Sequence, residues 1–201
     1  MNLLPHSTSS LCLVTGPARS GKSEWAEALA TQSGKAVAYV ATAQTNPNDP
    51  EWQARIERHR DRRPETWQTV QEPVELVTVI QQAQPEQCLL VDSLGTWLAN
   101  LLEQDETAWE QTQQALLHSL QQTQGQIILV AEETGWGVVP AYPIGRTFRD
   151  RLGTLVRYIG AIAGATYLVT GGYVLNLTQL GTPLSMVLAE SAKGDAEKRE
   201  R

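Results

Sequence analysis

The residues best suited by type and spacing to do chemistry are Gly16, Pro17, Ala18, Arg19, Ser20, Gly21, Lys22 and Ser23. Together they satisfy G-x-x-x-x-G-K-[ST] in full. A strand-like run, Leu11–Thr15, precedes them and a helix-like segment, Ser23–Gln32, follows, which is the setting that a phosphate-binding loop requires. Glycine at 16 and 21 permits torsions and a close approach that a side chain would block. The turn then aims several N–H groups at one point, and the positive end of the next helix adds to the field there. In such a loop Lys22 reaches the β- and γ-phosphates of a nucleoside triphosphate and Ser23 ligates Mg2+. The loop alone does not choose between an ATPase, a GTPase switch and a small-molecule kinase.

Acidic residues at two strand ends come next. Asp92 closes the apolar run Cys88–Val91, the pattern of a strand-end aspartate that holds Mg2+ through water. Because Ser93-Leu94 follow, Asp92 is also a candidate N-cap for the next helix. Glu132 and Glu133 end the run Ile127–Ala131, at a strand end where ligands sit in open α/β sheets. Either could act on substrate or metal, and either could be a solvated turn carboxylate.

The third feature is a histidine among arginines. Arg55, Arg58, Arg60, Arg62 and Arg63 lie within nine residues, with His59 among them. On a helix, Trp52, Ile56 and His59 share one face, while Arg55, Arg62 and Arg63 fall four before, three after and four after His59. Such surroundings disfavour the imidazolium, and a neutral imidazole is a nucleophile. The same arginines could hold a triphosphate and stabilise charge that develops in phosphoryl transfer. The pattern suits a phosphohistidine or nucleotidyl-histidine intermediate. The plainer reading is a histidine on a solvated basic helix face.

Elements able to position these groups are legible as alternating runs. Leu11–Thr15, Ala36–Ala41, Cys88–Asp92, Gln126–Ala131 and Thr166–Thr170 read as strands, with Tyr173–Leu177 as a sixth. Their continuous rather than alternating apolarity suits strands covered on both faces, as in a parallel sheet. Helical patterns fill the gaps: Ser23–Gln32, Pro50–Arg62, Pro73–Ala83, and Leu94–Gln104 with Thr107–Gln124, these last as two helices or one bent one. Ile144, Phe148, Leu152, Leu155, Ile159 and Ile162 form the clearest helical stripe. The alternation implies an α/β fold with helices on both faces of a mostly parallel sheet.

The chain's 201 residues suit one domain, expected over residues 11–190, with a flexible leader (1–10) and a charged tail (191–201). A net charge of -6 argues against broad nucleic-acid binding. No apolar run is long enough to span a bilayer and the leader lacks a secretory pattern, so a cytoplasmic address is expected. Cys12 and Cys88 match no zinc spacing and are expected to be buried and reduced.

With these segments in view, the chain resembles the bifunctional adenosylcobinamide kinase/adenosylcobinamide-phosphate guanylyltransferase family of cobalamin synthesis. The likeness runs from about Leu11 to Leu177. It is carried by Val14 to Ser23, Tyr39 to Gln44, Arg55-Ile56, His59-Arg60, Arg63-Pro64, Trp67 and Glu72-Pro73. It continues through Val91 to Leu94, Trp97-Leu98, Asn100 to Leu102, Glu133, Gly135, Gly137 to Pro140 and Phe148 to Asp150. The resemblance implies a RecA-like P-loop fold, a homotrimer and two reactions. A nucleoside triphosphate, ATP or GTP, phosphorylates the aminopropanol hydroxyl of adenosylcobinamide. A histidine, here matching His59, then takes GMP from GTP and passes it to the new phosphate. The resemblance also places Thr42, Ala43, Gln44, Arg62, Arg63, Glu72 and Asp92 near the guanine nucleotide. Three departures stand out: Glu132 where asparagine is expected, Pro17 where glycine is common, and Arg58 where some relatives carry a second histidine. Two other readings compete with this one. A single-activity P-loop kinase would keep His59 only beside the phosphates. A GTP-binding switch would usually carry Asn-Lys-x-Asp, which the sequence lacks.

Overall fold

The apolar runs become the strands of one seven-stranded sheet. A computed structural model describes residues 10–44, 57 and 62–184. The strands are β1 (Leu11–Gly16), β2 (Ala36–Ala41), β3 (Gln68–Gln71), β4 (Gln87–Asp92), β5 (Gln126–Glu132), β6 (Ala165–Thr170) and β7 (Tyr173–Asn176). Their order is β3-β2-β4-β5-β1-β6-β7, and all neighbours are parallel except the final β6–β7 pair. The phosphate-loop strand β1 and the aspartate strand β4 thus flank β5. The register sets Gly16 opposite Glu132, Asp92 opposite Val130, and Ala41 opposite Asp92. One edge of the sheet therefore gathers the ends of β1, β2, β4 and β5.

Continuous burial of the strands follows from helices on both faces. Leu11 and Leu13 point into one cluster and Cys12 and Val14 into the other, as the two-residue pleat demands. The first cluster is covered by α2 (Leu76–Gln81), α3 (Leu94–Ala99), α4 (Glu106–Gln122) and α5 (Pro143–Ile162), through residues such as Ile80, Trp97, Leu116 and Leu155. The second is covered by α1 (Lys22–Gln32), through Ala26, Leu29 and Ala30. A short α6 (Leu177–Leu180) follows β7. No helix among the described residues is long and apolar enough to cross a membrane. Both cysteines are buried and unpaired, and burial pushes their thiols up to about 12 for Cys12 and about 11 for Cys88.

Several expectations change. The expected helix over residues 50–62, with Arg55, Arg58, His59 and Arg60, falls largely outside the described residues. So do residues 1–9 of the leader and the whole tail. β3 has no counterpart in the expected strands, because Gln68-Thr69-Val70-Gln71 is mostly polar. It is an edge strand, added through backbone pairing to β2 rather than through an apolar face. The helix expected over Pro73–Ala83 contracts to α2, because Glu72 Oε1 accepts the Val74 and Glu75 N–H groups (3.0 and 2.8 Å) in a turn before it. The segment 94–124 forms two helices, and the Asp105 side chain caps the second by accepting the Ala108 N–H at 2.8 Å. The stripe on α5 is buried at Leu152, Leu155 and Ile159, whereas Ile144 is 60% exposed in the first turn.

Candidate active site

The loop between β1 and α1 has the torsions its sequence promises. Arg19 and Gly21 take left-handed torsions (φ 58° and 93°), and Gly21 is the N-cap of α1. Alternating hand of this kind turns successive N–H groups toward a common centre. A Cβ on Gly16 would run into the Val169 carbonyl oxygen and come within 2.7 Å of Ser20 Oγ, so glycine is required there by packing. Pro17 is tolerated because the loop uses only its carbonyl, which accepts from Ser20 N–H at 3.3 Å and Lys22 Nζ at 3.4 Å. Lys22 is buried with its ammonium folded back across the loop. Ala18 and Arg19 are exposed, and Ser23 sits in the first turn of α1. Ser20 Oγ is buried with no hydrogen-bond partner among the described residues. A buried orphan hydroxyl in an anion-binding turn is explained by a ligand oxygen.

The carboxylates at the strand ends divide the work. Asp92 Oδ2 accepts from Tyr39 Oη at 3.1 Å. It is not the cap of α3. Ser93 takes that position, accepting the Thr96 N–H at 3.3 Å while Thr96 Oγ1 accepts the Ser93 N–H at 3.1 Å. Glu133 Oε1 accepts from Thr15 Oγ1 at 2.7 Å, and its N–H donates to the Gly16 carbonyl at 3.0 Å. Glu132 Oε2 accepts the Gly95 N–H at 3.1 Å and fills the space where a Cβ on residue 95 would stand. Both glutamates thus have fixed hydrogen-bond partners at the end of β5. Burial holds the Glu132 carboxyl above its ordinary range, opposed by a Ser93 hydrogen bond and the Lys22 charge, and reinforced by the Asp92 charge.

Of the arginines around His59, Arg62 and Arg63 are described, and both dock beside these strand ends. Arg62 Nη1 meets Glu24 at 2.8 Å and Nη2 meets Glu27 at 3.3 Å, both on α1. Burial raises the Glu27 pKa while Arg62 opposes the shift. The Arg63 guanidinium carbon lies 3.8 Å from the centroid of the Tyr39 ring, and Arg63 Nη1 donates to Thr69 Oγ1 at 3.4 Å. Tyr39 was not among the residues singled out by sequence, since a tyrosine within Ala36–Ala41 reads as packing. The one available signal is that a buried phenol needs a partner for its hydroxyl. Burial, aided by the Asp92 charge, raises the Tyr39 pKa, so the phenol remains a donor.

The expected nucleotide residues beyond the loop divide into two kinds. Asp92, Arg62 and Arg63 present side-chain groups around the strand ends. Thr42 is buried, with Oγ1 donating to the Ser93 carbonyl at 2.8 Å and accepting the Ser93 N–H at 3.0 Å, so its side chain braces the turn after β4. The Ala43 carbonyl accepts from Gln71 Nε2, Gln44 is exposed, and Glu72 Oε1 shapes the turn before α2. His59 lies outside the described residues. For a metal, no group of three or more His, Cys, Asp or Glu side chains among the described residues could hold one. A phosphate-bound Mg2+ does not need such a group, because this hard cation takes one or two carboxylates and completes its shell with phosphate and water.

A mostly parallel sheet with this loop at the end of an interior strand and an aspartate two strands away defines a P-loop nucleotide-binding α/β protein. Residues 12–177 match the family described as cobinamide kinase / cobinamide phosphate guanyltransferase, and the chain belongs to that family. It is 47% identical over 145 residues to the bifunctional adenosylcobalamin biosynthesis protein CobP of Pseudomonas aeruginosa, covering 71% of this chain and 83% of that one. It is 38% identical over 177 residues to the bifunctional adenosylcobalamin biosynthesis protein CobU of Escherichia coli (strain K12), covering 81% and 96%. Among solved structures, a protein of Pyrococcus horikoshii OT3 with 6% identity matches at a TM-score of 0.51 over 88% of this chain and 94% of that chain, a likeness of fold alone.

Proposed function

We propose that the chain performs both reactions of its family, cobinamide kinase and cobinamide-phosphate guanylyltransferase, at a single nucleotide site. In the first, the aminopropanol hydroxyl oxygen of adenosylcobinamide attacks the γ-phosphorus of ATP or GTP. The nucleoside diphosphate leaves and the hydroxyl proton is lost to a base. In the second, an imidazole nitrogen of His59 attacks the α-phosphorus of GTP and pyrophosphate leaves. The substrate's new phosphate then attacks the same phosphorus, giving adenosylcobinamide-GDP and freeing His59.

The observation that carries the single site is the docking of Arg63 on Tyr39, whose hydroxyl holds Asp92. It brings the chain just after His59 to the strand ends that also bear the phosphate loop. There Lys22 and the loop N–H groups bind the β- and γ-phosphates, while Arg62 and Arg63 face the charge that develops at the α-phosphate. Thr42, Ala43, Gln44 and Glu72 line the guanine side of this site, Thr42 through its backbone. Mg2+, when held by Ser23 and Asp92, supplies charge neutralisation at the phosphates. The family resemblance supports a homotrimer. Two unpaired buried thiols suit the reducing cytoplasm.

Incubation with α-labelled GTP tests the reading. The expected result is acid-labile, alkali-stable label on the protein, lost in His59→Ala. Active enzyme that never takes up label would overturn the histidine route and leave a kinase alone.

A further inference from the structure

We propose that Tyr39 is a positioning residue shared by both reactions, its hydroxyl setting the Asp92 carboxylate and its ring face seating Arg63. The inference rests on the reading that one nucleotide site serves both. Tyr39 is on β2, 5% exposed, inside the apolar cluster that α1 covers. Phenylalanine would serve that cluster as well, and a hydroxyl there is unfavourable unless it is paired. It is paired, at 3.1 Å, with Asp92 Oδ2 across from β4. A donor fixed to a strand limits how the carboxylate can rotate.

The ring face does a second job. With the guanidinium carbon 3.8 Å from the ring centroid, the cation sits over the electron-rich face. Arg63 is steadied further by Thr69 Oγ1 on β3, and the preceding Arg62 by Glu24 and Glu27 on α1. β2 therefore supplies a platform between the aspartate strand and the segment leading back to His59. The two contacts use different parts of one side chain. Tyr39→Phe removes the first and keeps the second, whereas Tyr39→Leu removes both.

The experiment compares these variants in the full-length protein, alone and combined with Asp92→Ala or Arg63→Ala. The readouts are kinase kcat and KM, the rate of label uptake from α-labelled GTP, GTP affinity from fluorescent-nucleotide titration with and without Mg2+, and the urea midpoint. Loss of a hydrogen bond to a charged acceptor should lower both rates about tenfold in Tyr39→Phe, with little change in KM. Loss of the ring face should slow labelling about another fivefold to tenfold in Tyr39→Leu, weaken GTP binding, and spare the kinase rate any further fall. Phe should add nothing in the Asp92→Ala background, and Leu should match Phe in the Arg63→Ala background. Effects that simply multiply in the double variants, or rates that fall only in step with the urea midpoint, would overturn the proposal. If the wild-type protein takes no label, the histidine route fails by itself. The kinase arm then still decides the hydroxyl half, and GTP affinity of Phe against Leu decides the ring half.

Discussion

Lys22 in the phosphate loop and Glu132 at the end of β5 carry different roles, and these separate experimentally. The Lys22 ammonium is folded back across the phosphate loop against the Pro17 carbonyl. Lys22→Ala should lower kinase kcat by about a hundredfold or more, the range for removing one preorganised group at developing charge, and a steady-state assay reads it directly. Glu132 titrates in the fold above its unfolded value because it is buried. The folded protein then binds more protons than the unfolded chain between those two values. Its contribution to stability is full below the unfolded pKa and is lost as pH rises through the raised folded pKa. Glu132→Gln keeps an acceptor for Gly95 and removes the titration. The stability of the variant relative to wild type should therefore grow from acid pH toward neutrality in urea melts. A difference that stays flat with pH would show that Glu132 is not penalised by its burial. Sequence revealed the loop residues because their chemistry fixes a spacing. It concealed Tyr39 and the brace at Thr42, because both act through partners 50 or more positions away, Asp92 and Ser93.

At the scale of elements, the turn after β4 decides how α3 meets β5. Ser93 caps α3, and Gly95 leaves room for the Glu132 carboxylate. A Cβ at residue 95 would come within 2.9 Å of Glu132 Cδ and closer still to its Oε2. Gly95→Ala should cost ~1–3 kcal/mol by overpacking, measured as a lower urea midpoint. Adding Glu132→Ala should return part of that loss, whereas a cost unrelated to the clash would simply add. Ser93→Ala should cost about 1 kcal/mol through the lost cap. The strands and most helices were readable, since burial on two faces writes continuous apolar runs into the chain. β3 was not, because an edge strand of Gln68, Thr69, Val70 and Gln71 needs only backbone pairing. The division of residues 94–124 into α3 and α4 was left open, because apolar positions continue across the turn where Asp105 restarts the helix. Asp92 itself looked like a cap from its place before Ser93, and only the side-chain directions assign the cap to Ser93.

On the scale of the whole molecule, the loop is the hinge between the two faces of the sheet. It leaves β1, whose residues feed both clusters, and enters α1, which covers one of them. Asp92 brings in β4, while Arg62 and Arg63 bring in the segment docked on α1 and β2. A bound triphosphate would thus tie together elements that are separate in sequence. The trimer implied by the resemblance should appear in light scattering as about three times the 22.1 kDa chain mass. The link between ligand and fold is measurable more directly. Ligand that binds only the folded state at about a hundred times its Kd adds ~2.7 kcal/mol. For a chain of this size each kcal/mol moves Tm by roughly 2–4 °C, so GTP with Mg2+ should raise Tm by roughly 5–10 °C. Lys22→Ala should abolish most of that shift at the same GTP concentration, because mass action fails once affinity falls. His59→Ala should retain it, since the triphosphate is held by the loop before any bond to histidine forms. Equal loss of the shift in both variants would mean that His59 contributes to binding rather than only to attack.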